Sequence, residues 1–266
     1  MNFFEKINYN FKQQSVLTQI IVANVVIFLT INLVGNISRV NLLPFFALPI
    51  SSPEWTYKFW TLFLYMFTHE GLGHLFWNMI LFYFMSQLFL NLMGQKKILY
   101  LYVMSGIFGA ALVLVLGLIF PSSFSNTFLI GASASVLGIG AVLSIYSPHY
   151  KVNLFGLIEL SYVYFYLITF ILSTLIDLSS NTGGKISHIG GAAFGLIYGY
   201  YLKKGIDLFN FSFKIKNLRK LKIVSHNKEN NNTEAMDKLL DKISKSGYEG
   251  LTKKEKEELF KLSQKK

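Results

Sequence analysis

The sequence predicts an all-α, polytopic membrane protein: a bundle of six transmembrane helices followed by a small cytosolic helical hairpin. Three observations predict it. The 266 residues are 52% hydrophobic and 16% aromatic, with a mean hydropathy of +0.42, which is too apolar for a soluble domain of this size. Six stretches approach the roughly 20 apolar residues that cross a hydrocarbon layer of about 30 Å. Charge gathers behind the last of them, since residues 203–266 hold 17 of the 25 Lys and Arg and 9 of the 14 Asp and Glu, or +8 of the net +11.

The six stretches run over 16–35, 72–92, 98–120, 128–146, 154–177 and 186–202. The first is longer than a signal-peptide core and has no small-residue cleavage site behind it, so it reads as an anchor that stays. Residues 37–71 contain Pro44, Pro49, Pro53, Trp55, Tyr57 and Trp60. That segment is too interrupted to span and rich in the aromatics that favour headgroups, so a loop with short interfacial helices is expected. Basic residues set the orientation: with the N-terminus inside, Lys6, Lys12, Lys96, Lys97, Lys151, Lys203 and Lys204 flank inner ends, against Arg39, Lys58 and Lys185 outside. Both termini are therefore expected in the cytoplasm, on a multi-pass protein of the cell (plasma) membrane.

After Leu202 the chain turns polar. Residues 1–205 form the expected membrane domain, 206–232 a linker containing "HNKENNNT", and 233–266 a small cytosolic helical segment. Met236, Leu239, Leu240 and Ile243 recur at helical spacing until Gly247; Thr252 and Glu255 then have capping-box spacing before Leu259 and Leu262. A basic tail behind a membrane span matches anionic lipid, so the bilayer is an expected partner and nucleic acid is not. With no cysteine in the chain, disulfides, thiolate metal sites and a cysteine nucleophile are excluded.

Strongly polar residues inside a span are expensive and usually functional. In these stretches they are His74 and Asn78, Ser133 and Ser135, Glu159 and Asp177, and His188. The second, fourth and sixth helices all run from outside to inside, and His74, Ser133 and His188 fall in the first residues of each, at one depth. Gly191, Gly195 and Gly199 form a small-residue stripe on the face that carries His188, and "GASASVLGIGA" begins the fourth helix with an equally small surface. Packing the two stripes together brings His188 towards Ser133 or Ser135. A Ser within reach of a His is the minimum for nucleophilic catalysis. His74 and Asn78, about 40° apart on one helix face, could hold an oxyanion beside the unpaired N–H groups at the start of the fourth helix. Asp177 could orient His188 as a third member.

"THEGLGHLFWNM", Thr68 to Met79, also invites a zinc reading, with His69, Glu70 and His74. Five residues turn a helix by about 500°, which points two helical His side chains about 140° apart. Gly71 and Gly73 suggest instead that the helix begins there and leaves His69 on the loop, so no metal is expected.

The chain resembles the rhomboid intramembrane serine proteases. "HEGLGHLFWNM" fits the family's H-x4-H-x3-N pattern with His69, His74 and Asn78; "GAS" fits its G-x-S with Gly131 and Ser133; "HIGGAAFG" fits its H-x2-G-x3-G with His188, Gly191 and Gly195. The resemblance covers residues 1 to about 205. It implies a six-helix fold in which Ser133 and His188 form a catalytic dyad without an acidic third member, which demotes Asp177 and selects Ser133 over Ser135. It further implies an oxyanion hole of His74, Asn78 and the Ser133 N–H, packing support from Gly131, Gly191 and Gly195, no cofactor, and transmembrane protein substrates cut near the outer membrane face. Three positions depart from the family pattern: Ala134 replaces the last Gly of G-x-S-G, Trp60-Thr61 stands for a Trp-Arg pair, and Leu137 stands where many members carry a Tyr packed on the catalytic His. The alternative is an inactive relative that binds transmembrane helices; such relatives usually lose the Ser or the His, and this chain keeps both.

Overall fold

The computed structural model describes residues 14–50, 53–124, 127–154, 156–176, 181–210 and 229–263. Two compact units divide the chain, Met1–Phe213 and Lys214–Lys266. In the first, helix α1 spans Val16–Ser38, α4 spans Leu72–Met93 and α5 spans Gln95–Ile119; among the described residues these three are long and apolar enough to cross a membrane. The short helices α2 (Leu43–Phe46) and α3 (Thr61–Leu64) lie between α1 and α4. Then come α6 (Ser133–Tyr146), α7 (Tyr162–Ile176) and α8 (Thr182–Lys203). α8 has the length of a span, but its glycines and polar residues dilute its hydropathy. α6 is only about 21 Å long.

α6 lies at the centre and packs against α4, α5, α7 and α8. Every residue from Ala134 to Ser144 is buried. Large apolar side chains such as Val26, Leu33, Phe76, Val115, Leu118 and Leu175 face outward instead. An apolar exterior around a core that contains Asn24, Ser105 and Ser135 is the arrangement suited to lipid rather than water.

Close approach of α6 and α8 rests on missing side chains. A Cβ at Gly191 would overlap the Ala134 carbonyl oxygen, and one at Gly195 the Gly138 carbonyl oxygen. The contact therefore pairs the Gly191/Gly195 stripe with Ala134 and Gly138 of the small surface that "GASASVLGIGA" gives α6. Ser135 faces away from this contact, towards Met66 and Gly106.

The loop between α1 and α4 is built as expected from short turns, with 3-10 segments at Pro53–Thr56 and Tyr65–Phe67 beside α2 and α3. Trp60 Nε1 donates to the Phe45 carbonyl at 2.9 Å, and Thr61, fully buried, donates to the Lys58 carbonyl at 2.7 Å. The Tyr65–Phe67 turn is fastened to α5: Tyr65 Oη donates to Gly106 O at 2.6 Å and Tyr102 Oη donates to Met66 O at 2.7 Å.

Two elements differ from the expected helices. The stretch 128–146 begins not as helix but as a short strand, β2 (Phe128–Leu129), antiparallel to β1 (Leu48–Pro49). The stretch 154–177 begins with a hairpin, β3 (Lys151–Leu154) and β4 (Ile158–Ser161), that turns at Gly156 with φ +74. Glu159 consequently sits exposed in a strand opposite Asn153.

In the second unit, α9 runs Glu229–Ser246 and α10 Lys253–Ser263. α9 begins before residue 233 because no Gly or Pro interrupts "ENNN", and it stops at Gly247 with φ +71. Thr252 and Glu255 do form the capping box, with Thr252 N donating to Glu255 Oε2 at 2.8 Å and Glu255 N to Thr252 Oγ1 at 3.4 Å.

Candidate active site

Ser133 is the first residue of α6, and the segment before it is held on both sides. β2 pairs with β1, and the Gly131 N–H donates to the Tyr65 carbonyl at 2.9 Å. Gly131 adopts φ +111, a conformation open in practice to glycine alone. A Cβ there would lie 2.9 Å from His74 Nε2 and 3.7 Å from Ser133 Oγ. The His74 ring and the Ser133 hydroxyl thus occupy the same side of this turn. As the first residues of α6, Ser133 and Ala134 have N–H groups without an intrahelical carbonyl.

His188 comes from α8, whose start is capped by Asn181 Oδ1 accepting from Gly184 N at 2.8 Å. His188 Nε2 stands 2.7 Å from Ser133 Oγ. On its other side Nδ1 stands 3.3 Å from Thr174 Oγ1. The imidazole is 9% exposed, so bulk water does little to scatter its orientation.

Asn78 lies one turn below His74 on α4. Its Nδ2 donates to the His74 carbonyl at 2.8 Å, which uses one of the two amide hydrogens and leaves the second. His74, Asn78, Ser133 and His188 all line one cavity of 560 Å³, together with Trp77 and Leu81 of α4 and Leu172 and Ser173 of α7. Four of the seven polar residues singled out in the sequence therefore meet at one place.

Gly131 contributes by the turn, while Gly191 and Gly195 contribute by the α6–α8 approach that fixes the spacing of Ser133 and His188. Ser135 is fully buried away from His188. Asp177 lies outside the described residues.

His69 stands on the loop before α4, as Gly71 and Gly73 suggested. It is not turned away, however: its ring meets that of His74 edge-on at 5.0 Å, because the bend at Gly71 folds the loop back over the start of the helix. Buried to 1% exposure with neither ring nitrogen in hydrogen-bonding geometry, His69 is pushed down to about 3 by burial and then by the neighbouring His74, the Phe67 carbonyl opposing weakly. It is neutral at physiological pH. Among the described residues no group of three or more His, Asp and Glu could hold a metal ion.

Thr174 is the site residue that sequence reasoning passes over. A threonine in an apolar stretch carries little signal, since its hydroxyl ordinarily bonds to its own helix. Thr169 does so, donating to Phe165 O at 2.8 Å.

Residues 56–205 match the family model described as Rhomboid domain. Residues 224–265 match a family of unknown function (DUF6576). No curated protein matches the chain.

Proposed function

The chain belongs to the rhomboid family, whose members are generally intramembrane serine proteases, and we propose that it is an active one, cutting transmembrane segments of membrane proteins near the outer face by a Ser133–His188 dyad. The observation that carries this reading is the 2.7 Å separation of His188 Nε2 and Ser133 Oγ, a distance at which the hydroxyl proton can pass to the imidazole.

His188 Nε2 takes the proton as Ser133 Oγ attacks the scissile carbonyl carbon. The carbonyl oxygen becomes an oxyanion, held by the free amide hydrogen of Asn78, by His74 and by the Ser133 N–H. When the tetrahedral intermediate collapses, the C–N bond breaks and the leaving amine takes the proton from His188. A water then gives a proton to the same nitrogen and attacks the Ser133 ester; the acyl group leaves as the carboxylic acid, which ionises in water, and the proton on His188 returns to Oγ. No cofactor enters the cycle.

In this reading α1, α4, α5, α6, α7 and α8 are six spans, with both termini in the cytoplasm and the plasma membrane as the location. Residues 1–205 are the protease, and the helical stretch from Glu229 onward is a separate module joined to it by a linker. The short α6 takes its place as a span because its neighbours enclose it.

The test uses purified protein in lipid vesicles with a model transmembrane substrate. Wild type is expected to cleave it and to be labelled by a serine-reactive phosphonate, while Ser133→Ala and His188→Ala do neither. Cleavage undiminished in either variant overturns the dyad. A wild-type protein that neither cleaves nor labels, yet retains the substrate helix, identifies the inactive binding relative instead.

A further inference from the structure

The inward face of α7 is set by Tyr162, Phe165, Tyr166 and Thr169. Continued at 3.6 residues per turn, that face would next bury position 172 or 173 and then 176. Leu172 and Ile176 are instead exposed and Ser173 is only half-buried, while Thr174 is the most inward residue, 3% exposed. The segment Leu172–Ile176 is π-helical, and the extra residue of a π-turn moves the inward position along the chain in this way. Its consequence is chemical: a hydroxyl comes to rest 3.3 Å from His188 Nδ1.

We propose that Thr174 is a positioning residue for His188, an inference that rests on the dyad reading above. For Nε2 to accept the serine proton, the ring hydrogen must sit on Nδ1. Thr174 Oγ1 accepts that hydrogen, which selects the working tautomer and fixes the ring plane that aims Nε2 at Ser133. When His188 gains the proton, both nitrogens carry hydrogens and the Thr174 bond persists. Position 137, where many rhomboids carry a Tyr, is a buried Leu that can give the ring apolar contact but no direction. The π-turn delivers direction from another helix.

The test compares Thr174→Val, which keeps the shape and loses the hydroxyl, with Thr174→Ser, which keeps the hydroxyl, in the full chain reconstituted in vesicles. Loss of one positioning hydrogen bond is expected to lower kcat about tenfold for Thr174→Val. KM should stay within about twofold, and Thr174→Ser should restore most of kcat. Phosphonate labelling of Ser133 should slow in parallel, because it needs the same activated hydroxyl. Wild-type kcat in Thr174→Val, or Thr174→Ser as slow as Thr174→Val, overturns the proposal. If Thr174→Val fails to fold, Thr174→Ala against Thr174→Ser reads the same comparison. Cleavage surviving in Ser133→Ala would instead sink the dyad itself, whereas an inert Ser133→Ala beside an unimpaired Thr174→Val sinks Thr174 alone.

Discussion

Replacing Gly195 by Ala adds one methyl group at the tightest point of the α6–α8 contact. Its Cβ would overlap the Gly138 carbonyl oxygen and lie 2.8 Å from Ala141 Cβ. Neither can swing aside, one being backbone and the other a methyl fixed to it, so the helices must separate. Overpacking costs about 1–3 kcal/mol, and with backbone as the obstacle the cost lies near the upper end, about 3 kcal/mol. For a unit of this size that lowers Tm by about 6–12 °C. Gly199→Ala meets Val142 O at 2.7 Å, a smaller intrusion expected to cost about 1–2 kcal/mol. Gly73→Ala, on α4, meets nothing within 4 Å and is expected to lose no stability, and to gain up to about 1 kcal/mol from helix propensity. Thermal unfolding in detergent, followed by tryptophan fluorescence, ranks the three. An order other than Gly195, Gly199, Gly73 from most to least damaging, or a Gly195→Ala protein as stable as wild type, refutes the packing reasoning.

Two further outcomes follow from the site. Asn78→Ala should lower kcat by about 10²–10³ at most while the protein still folds, the range for one oxyanion donor; full activity in a cleavage assay would remove Asn78 from the reaction, and no activity at all would point to a folding role. His69, held near 3 when folded against about 6.5 when unfolded, binds fewer protons in the native state. Stability is therefore complete above about pH 6.5 and falls as pH drops from there towards 3, by about 1.4 kcal/mol per unit. Melting curves between pH 4 and 8 should show this loss in wild type and much less of it in His69→Asn. Equal slopes would mean that another group sets the acid limit.

The apolar stretches that become α1, α4 and α5 and the small-residue stripes are legible in sequence because each is a local pattern that the bilayer or a close helix contact demands of its own residues. His74, Asn78, Ser133 and His188 are legible for a related reason: each carries a polar group that the apolar surroundings make costly. What stays hidden depends on distant partners. Leu48 meets Leu129 through a two-residue ladder, and nothing near either residue marks the pairing. Residues 151–161 are apolar enough to extend a helical stretch, and the hairpin at Gly156 is visible only once Lys151 is seen opposite Ser161. The π-turn at Leu172–Ile176 contains no Gly or Pro to announce it.

That π-turn also bears on how a dyad can work without an acid. The spacing of Ser133 and His188 is a product of packing, since Gly191 against Ala134 and Gly195 against Gly138 set how near α8 comes to α6. Packing of that kind fixes the position of a histidine's backbone but does not by itself decide which ring nitrogen carries the proton. A carboxylate would settle that choice, at the cost of burying a charge in the bundle. A neutral hydroxyl settles it without that cost, provided a helix can present the hydroxyl at a position the α-helical period would not supply. Thr174 meets that condition only because the turn that carries it is wider than the α-helix before it.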